Sequence, residues 1–139
     1  GIRLESGRVR QFQYEREQSR IGATLWEKPW HYIDNSPLFK VPDVTTPLLI
    51  MHNDNDGAVP YQQGIELFTA LRRLGKPAWL LVYNSEEHNL KERKNRKDLS
   101  IRLQQFFDHY LLDAPMPVWM KTGVPATMKN KTWGLELTE

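Results

Sequence analysis

Two short apolar runs begin about thirty residues apart, and a single helical period fills the space between them. Leu48, Leu49, Ile50 and Met51 form the first run, bounded by Pro47 on one side and by Asn53, Asp54, Asn55, Asp56 and Gly57 on the other. Trp79, Leu80, Leu81, Val82 and Tyr83 form the second, which ends at Asn84 and Ser85. Continuous apolar runs of this length, without polar alternation, are what strands buried on both faces of a parallel sheet require. Between them Ile65, Phe68, Leu71 and Leu74 recur at helical spacing with charged residues interleaved, and Gly75-Lys76-Pro77 supplies a helix stop. The order strand, helix, strand predicts one right-handed βαβ unit, with strands over 47–53 and 78–84, and places the chain in the α/β class.

In open α/β sheets, ligand-binding and reacting groups sit on the loops that leave the carboxyl ends of the strands. The first run leads into Asp56 and the second into His88. Turns are rich in Asp and a loop His is commonly just exposed, so neither residue means much by itself. Together, at the ends of two neighbouring strands, they offer the carboxylate–imidazole pair of a Ser-His-Asp triad. In such a triad the Asp fixes the His tautomer while the His takes the nucleophile's proton.

Three strings carry a resemblance: HNDNDGAVP, the helix YQQGIELFTALRRLGK, and YNSEEHNL. In this order they resemble the end of the α/β-hydrolase domain of the prolyl oligopeptidase family, and its dipeptidyl-peptidase-like members above all. That family's pattern is a strand, H-G-x-x-D-x-x-V, a helix, a strand and a loop ending in the catalytic His. His52, Asp56 and Val59 match the first part and His88 the last, with 88 − 56 = 32 residues between the two. The segment from Trp26 to Phe39 and the string QFFDHYL also look like family sequence on either side. Two departures stand out: Asn53 replaces the usual Gly after His52, and Asn84-Ser85 stands where a Pro-Gly turn often precedes the His. The resemblance implies hydrolysis of peptide bonds through an acyl-enzyme, with His88 as general base and then acid and Asp56 orienting it. It assigns His52 a structural hydrogen-bonding role.

The same resemblance requires a serine in a G-x-S-x-G elbow upstream of the Asp. Ser6, Ser19, Ser36, Ser85 and Ser100 are the serines, and none has glycine two positions away on both sides. Ser6, in LESGR, is a near-miss that follows no apolar strand. The expectation is therefore that residues 1–139 are the C-terminal fragment of an α/β-hydrolase domain, with the nucleophile, and any β-propeller, before residue 1. Such a fragment would be inactive alone, its longer parent acting on a peptide substrate. A stand-alone, non-catalytic binding or assembly module built on a hydrolase half-sheet is the alternative from another class; an esterase of the same fold shares every residue seen here. A G-x-S-x-G elbow in the coding sequence ahead of Gly1 discriminates the module from the peptidase.

Composition excludes other chemistries. There are no cysteines, so disulfides and thiolate catalysis are out. Placing Gly57 at the sixth position of a calcium loop puts His52 first and Gln63 twelfth, where Asp and Glu are needed. His31, His52, His88 and His109 lack H-x-x-x-H or H-E-x-x-H spacing, and no Gly-rich phosphate loop is present, so no metal or cofactor is expected. A net charge of +2 from interleaved signs suggests no nucleic-acid partner. The basic run through Lys91, Arg93, Lys94, Arg96 and Lys97 has no aromatics between its charges for base stacking, and reads as a solvated loop. No membrane-spanning apolar stretch or signal peptide is evident.

The remaining expectations are structural. A helix is expected over 14–22, ended by Gly22, and short helical turns through the Trp26–Phe39 segment, whose Trp26, Trp30, Tyr32 and Phe39 are for packing before pocket lining. Another helix, capped by Asp98 or Ser100, carries Leu103, Phe106, Phe107, Tyr110 and Leu111 as an apolar stripe. Glu86 and Glu87 flank His88 and are secondary candidates for tuning it. Two strands alone make a marginal sheet with an open edge, so the isolated chain is expected to self-associate.

Overall fold

The computed structural model describes residues 4, 5, 8, 9 and 11–139, so Ser6 lies outside it. The chain divides into two compact units, Gly1–His88 and Asn89–Glu139.

The first unit begins with a small antiparallel pair, β1 (Leu4–Glu5) and β2 (Arg8–Val9), then helix α1 (Gln11–Glu15), helix α2 (Pro29–Asp34) and a 3₁₀ helix over Pro37–Asp43. Strand β3 (Leu48–Met51), helix α3 (Tyr61–Arg73) and strand β4 (Ala78–Leu81) follow in the expected order. β3 and β4 pair in parallel, with Leu48 opposite Ala78 and Met51 opposite Leu81. The ladder closes at its ends through Leu48 N–H to the Pro77 carbonyl and His52 N–H to the Leu81 carbonyl, both 3.1 Å. Both strands are shorter than the expected 47–53 and 78–84, because Asn53 and Asn84 already belong to the loops.

The stop of α3 is as Gly75 requires. Its φ is +67°, which only glycine adopts freely. The Gly75 N–H bonds the Arg72 carbonyl and the Lys76 N–H bonds the Leu71 carbonyl, satisfying carbonyls that the helix end would otherwise orphan. The core of the unit is Val41, Leu71 and Ala78, with Leu38, Leu48, Ile50, Leu67 and Phe68 against them. Leu71 is fully buried, a placement that stabilises by about 1.5–3 kcal/mol. Ile65 and Leu74, from the same apolar stripe, stay exposed. The face of α3 that turns inward is instead completed by buried Gly64, where a Cβ would lie 2.6 Å from His52 Nδ1.

The helix expected over 14–22 is not there. α1 covers 11–15, and Arg20 and Gly22 both take positive φ as the chain turns back, with Ile21 and Gly22 N–H bonding the Tyr14 and Glu15 carbonyls. Residues 16–20 are all exposed, and a segment this short without a buried face has little to hold it helical. The Trp26–Phe39 segment does form helical turns. Tyr32 is buried, with its hydroxyl donating to the Ala23 carbonyl at 2.7 Å, whereas Trp26 and Trp30 are exposed. Phe39 lines a hollow of about 560 Å³ with Leu38, Pro42, Thr69 and Leu74, beside the C-terminal half of α3.

The second unit is built on helix α4 (Arg93–Leu112), with a short helix α5 (Val118–Lys121) and a 3₁₀ turn over Ala126–Met128. α4 starts before Asp98 and Ser100, so the basic run expected to be a loop forms its first turns. Lys and Arg are good helix formers and need no cap residue to be included. Asp98 sits inside the helix and accepts from Arg102 Nε at 2.8 Å, one turn on, and Ser100 Oγ donates back to the Arg96 carbonyl. Of the apolar stripe, Phe106 is buried and Phe107 and Leu111 are exposed. The tail is clasped to α4: Trp119 Nε1 donates to Gln105 Oε1 at 2.8 Å, Gln105 Nε2 to the Leu135 carbonyl and Arg102 to the Trp133 carbonyl. Arg102 also lies 5.3 Å from the Trp119 ring centroid.

Candidate active site

At the carboxyl ends of β3 and β4 the chain makes two polar loops, residues 52–60 and 82–88. The structure brings together the two residues singled out from sequence. His88 Nδ1 lies 2.8 Å from Asp56 Oδ2. An ionised carboxylate only accepts, so Nδ1 carries the proton and Nε2 is the ring's acceptor. The His88 side chain is 54% exposed and that of Asp56 only 5%. The imidazole is therefore presented outward on a carboxylate that is itself fixed.

What fixes Asp56 is local. Its Oδ1 accepts the N–H groups of Ala58 and Val59, both at 2.8 Å, the side chain closing the turn that the Asp-Gly sequence begins. Burial pushes the Asp56 carboxyl upward, but the Val59 N–H, the His88 ring and the Ala58 N–H together outweigh it and hold the group below the usual carboxylate range. The carboxylate is thus ionised and ready to balance a protonated imidazole.

His52 belongs to the same cluster in a different role. Its Nε2 donates to the Val59 carbonyl at 3.1 Å and stands 3.5 Å from Asp56 Oδ2. The edge of Tyr61 meets its ring, with centroids 5.8 Å apart, and Gly64 gives it room. It braces the loop against the first turns of α3.

Sequence reading did not anticipate how closely the two loops are tied. Asn53, seen from sequence only as a departure from Gly, is 1% exposed and donates from Nδ2 to the Glu87 carbonyl at 2.6 Å. Asp54 accepts from the Ser85 N–H at 2.7 Å and from Asn84 Nδ2 at 3.0 Å. The density of Asn and Asp on both loops was the available signal. Of the secondary candidates, Glu86 is buried and Glu87 exposed. The hollow beside Phe39 includes neither Asp56 nor His88, and His31 lies exposed on α2. His109 Nδ1 donates to the Ala114 carbonyl at 2.8 Å, closing the end of α4. Among the described residues, no group of three or more His, Asp or Glu is placed to hold a metal ion, and no helix is long and apolar enough to cross a membrane.

Comparison with known proteins bears on the same stretch. The sequence pattern of the prolyl oligopeptidase family matches residues 8–114. An uncharacterized peptidase of Bacillus subtilis, YuxL, is 36% identical over 88 residues, covering 61% of this chain and 13% of that protein. The acylamino-acid-releasing enzyme of Rattus norvegicus is 36% identical over 74 residues, covering 53% and 10%. Dipeptidyl-peptidase 5 of Aspergillus oryzae is 30% identical over 80 residues, covering 56% and 11%. The chain thus spans about a tenth of the length of these relatives.

Proposed function

We propose that this chain, which belongs to the prolyl oligopeptidase family of α/β-hydrolases, supplies two members of a serine-peptidase triad: Asp56 as the orienting carboxylate and His88 as the general base and acid. The observation that carries the reading is the 2.8 Å contact between His88 Nδ1 and Asp56 Oδ2, on loops that leave the ends of two paired parallel strands. The nucleophile is a serine of a preceding part of the protein, on an elbow that the α/β-hydrolase order places ahead of Asp56.

The chemistry follows from the tautomer. With its proton on Nδ1, His88 takes the serine proton at Nε2 as the serine oxygen attacks the peptide carbonyl. Asp56 stabilises the imidazolium that forms without itself accepting the proton. His88 then delivers that proton to the departing amine, leaving the acyl-enzyme. A water then attacks the acyl carbonyl and gives its proton to Nε2; the bond to the serine oxygen breaks, the serine takes that proton back from His88, and the acid product leaves. The depressed carboxyl of Asp56 suits this role, since its charged form is the one the site favours.

A serine-directed fluorophosphonate tests the reading. The full-length protein is expected to label at a single serine outside residues 1–139, and His88→Ala to abolish nearly all labelling and turnover. The 139-residue chain is expected to stay unlabelled. Labelling at one of its own five serines, lost on denaturation, refutes the assignment.

A further inference from the structure

The chain departs from its family's pattern at Asn53 and at Asn84-Ser85, and each departure takes part in a contact between the two loops. Three consecutive residues of the first loop hold four consecutive residues of the second. Asn53 Nδ2 donates to the Glu87 carbonyl at 2.6 Å. The Asp54 carboxylate accepts the Ser85 N–H at 2.7 Å on one oxygen and Asn84 Nδ2 at 3.0 Å on the other. The Asn55 N–H donates to the Glu86 carbonyl at 3.3 Å. His88 is the next residue along.

Three of these contacts are made by the departing residues themselves. Ser85 has φ of +65°, in the left-handed region where a side chain is disfavoured and a glycine of a Pro-Gly turn would be at ease. The N–H that Ser85 presents there is the one Asp54 accepts. Asn53 is buried to 1% exposure with its Oδ1 unpartnered among the described residues, a desolvation cost that the usual glycine would not incur. What the side chain gives in return is its hold on Glu87. The His88 ring is 54% exposed, so packing does little to orient it, and the backbone of its loop has to. We infer that Asn53 and Asp54 are positioning residues for His88. They hold its loop by side-chain hydrogen bonds, in place of the turn geometry that Pro-Gly supplies, so that the ring meets Asp56. The inference rests on the triad reading above.

Kinetics of the full-length enzyme on a peptide anilide test it. Asn53→Ala is expected to lower kcat by about 10²-fold, the scale of a small misplacement of a reacting group, with KM within about twofold. In an Asp56→Asn background the same change should add less than about threefold, because the ring has already lost its orientation. Asp54→Ala reads the same clasp from an exposed position, where folding is not at stake. It should cost about tenfold in kcat with an unchanged melting temperature. A kcat within about twofold of the parent for both variants overturns the inference. So does an Asn53→Ala effect that multiplies fully with Asp56→Asn, which marks a general structural role. Turnover that survives His88→Ala overturns the triad reading and this inference with it. A His88→Ala enzyme that is dead beside fully active clasp variants removes the inference alone.

Discussion

Replacing Asp56 by Asn in the full-length protein separates two accounts of what the carboxylate does. The side chain is 5% exposed and makes three close hydrogen bonds: Ala58 and Val59 N–H to Oδ1, and His88 Nδ1 to Oδ2, each at 2.8 Å. Asparagine has the same shape. Its oxygen can keep the two loop N–H groups, which leaves its NH₂ facing His88 Nδ1. Two donors cannot share that contact, so the imidazole must move its proton to Nε2, the atom that receives the serine's proton in the proposed mechanism. If Asp56 merely contributed a charged hydrogen bond, its loss would be worth about 1.5–3 kcal/mol, or roughly 10- to 150-fold. If it sets the tautomer, kcat falls by about 10⁴-fold, or about 5.4 kcal/mol. Steady-state turnover of a peptide anilide decides, with the melting temperature as a control for folding. Asp54→Asn keeps an acceptor for the Ser85 N–H and should cost far less. A drop in kcat of less than about 150-fold for Asp56→Asn, or a larger drop for Asp54→Asn than for Asp56→Asn, refutes the tautomer argument.

Gly64→Ala drives a methyl group to within 2.6 Å of His52 Nδ1, and should destabilise by about 1–3 kcal/mol in urea unfolding; no change in midpoint means that His52 does not brace α3. Because the Asp56 carboxyl is depressed, its contribution to stability is present above the unfolded pKa of about 3.9 and is lost as pH falls through the folded value. The stability gap between the parent and Asp56→Asn should therefore be widest near pH 7 and close toward pH 3, and a gap independent of pH counts against the site's electrostatics. The isolated 139-residue chain has a two-stranded parallel sheet, which is marginal alone. Light scattering should find it self-associated, and a cooperatively unfolding monomer at high concentration would falsify that.

The strand-helix-strand order was legible because each of its signals is local. The apolar runs, the stripe through Leu71 and the glycine at position 75 each dictate their own backbone, and the parallel pairing follows from their order. That Asp56 and His88 meet was legible for the same reason, as each stands on the loop that follows one of the paired strands. What sequence could not supply was pairwise. Nothing in the string says that Asn53 reaches Glu87, 34 positions on, or that Gly64 is small because His52 needs the space. Local rules also misjudged elements that carry little burial. The helix expected over 14–22 had propensity but no buried face, and the basic run through Arg93 and Lys94 looked like a loop because charge was weighed above helix-forming tendency.

The parallel register of β3 and β4 also sets how much of the chain the Asp56–His88 contact has to close. Closing a flexible loop costs entropy that rises only slowly with length, about 0.6 kcal/mol per doubling, so most of the cost of bringing residues 56 and 88 together falls on the first long-range contact made between their two stretches. The strand pair is such a contact: Met51 opposite Leu81 already closes 81 − 51 = 30 residues, against 32 for the imidazole and its carboxylate. Once the strands have paired around α3, the site lies only 56 − 51 = 5 positions beyond the register on one side and 88 − 81 = 7 on the other. The Asp56–His88 hydrogen bond therefore does not have to close the chain itself. It needs only the local closure of a loop pair that the paired strands already hold together, and an exposed imidazole can rest there without being needed to close the chain.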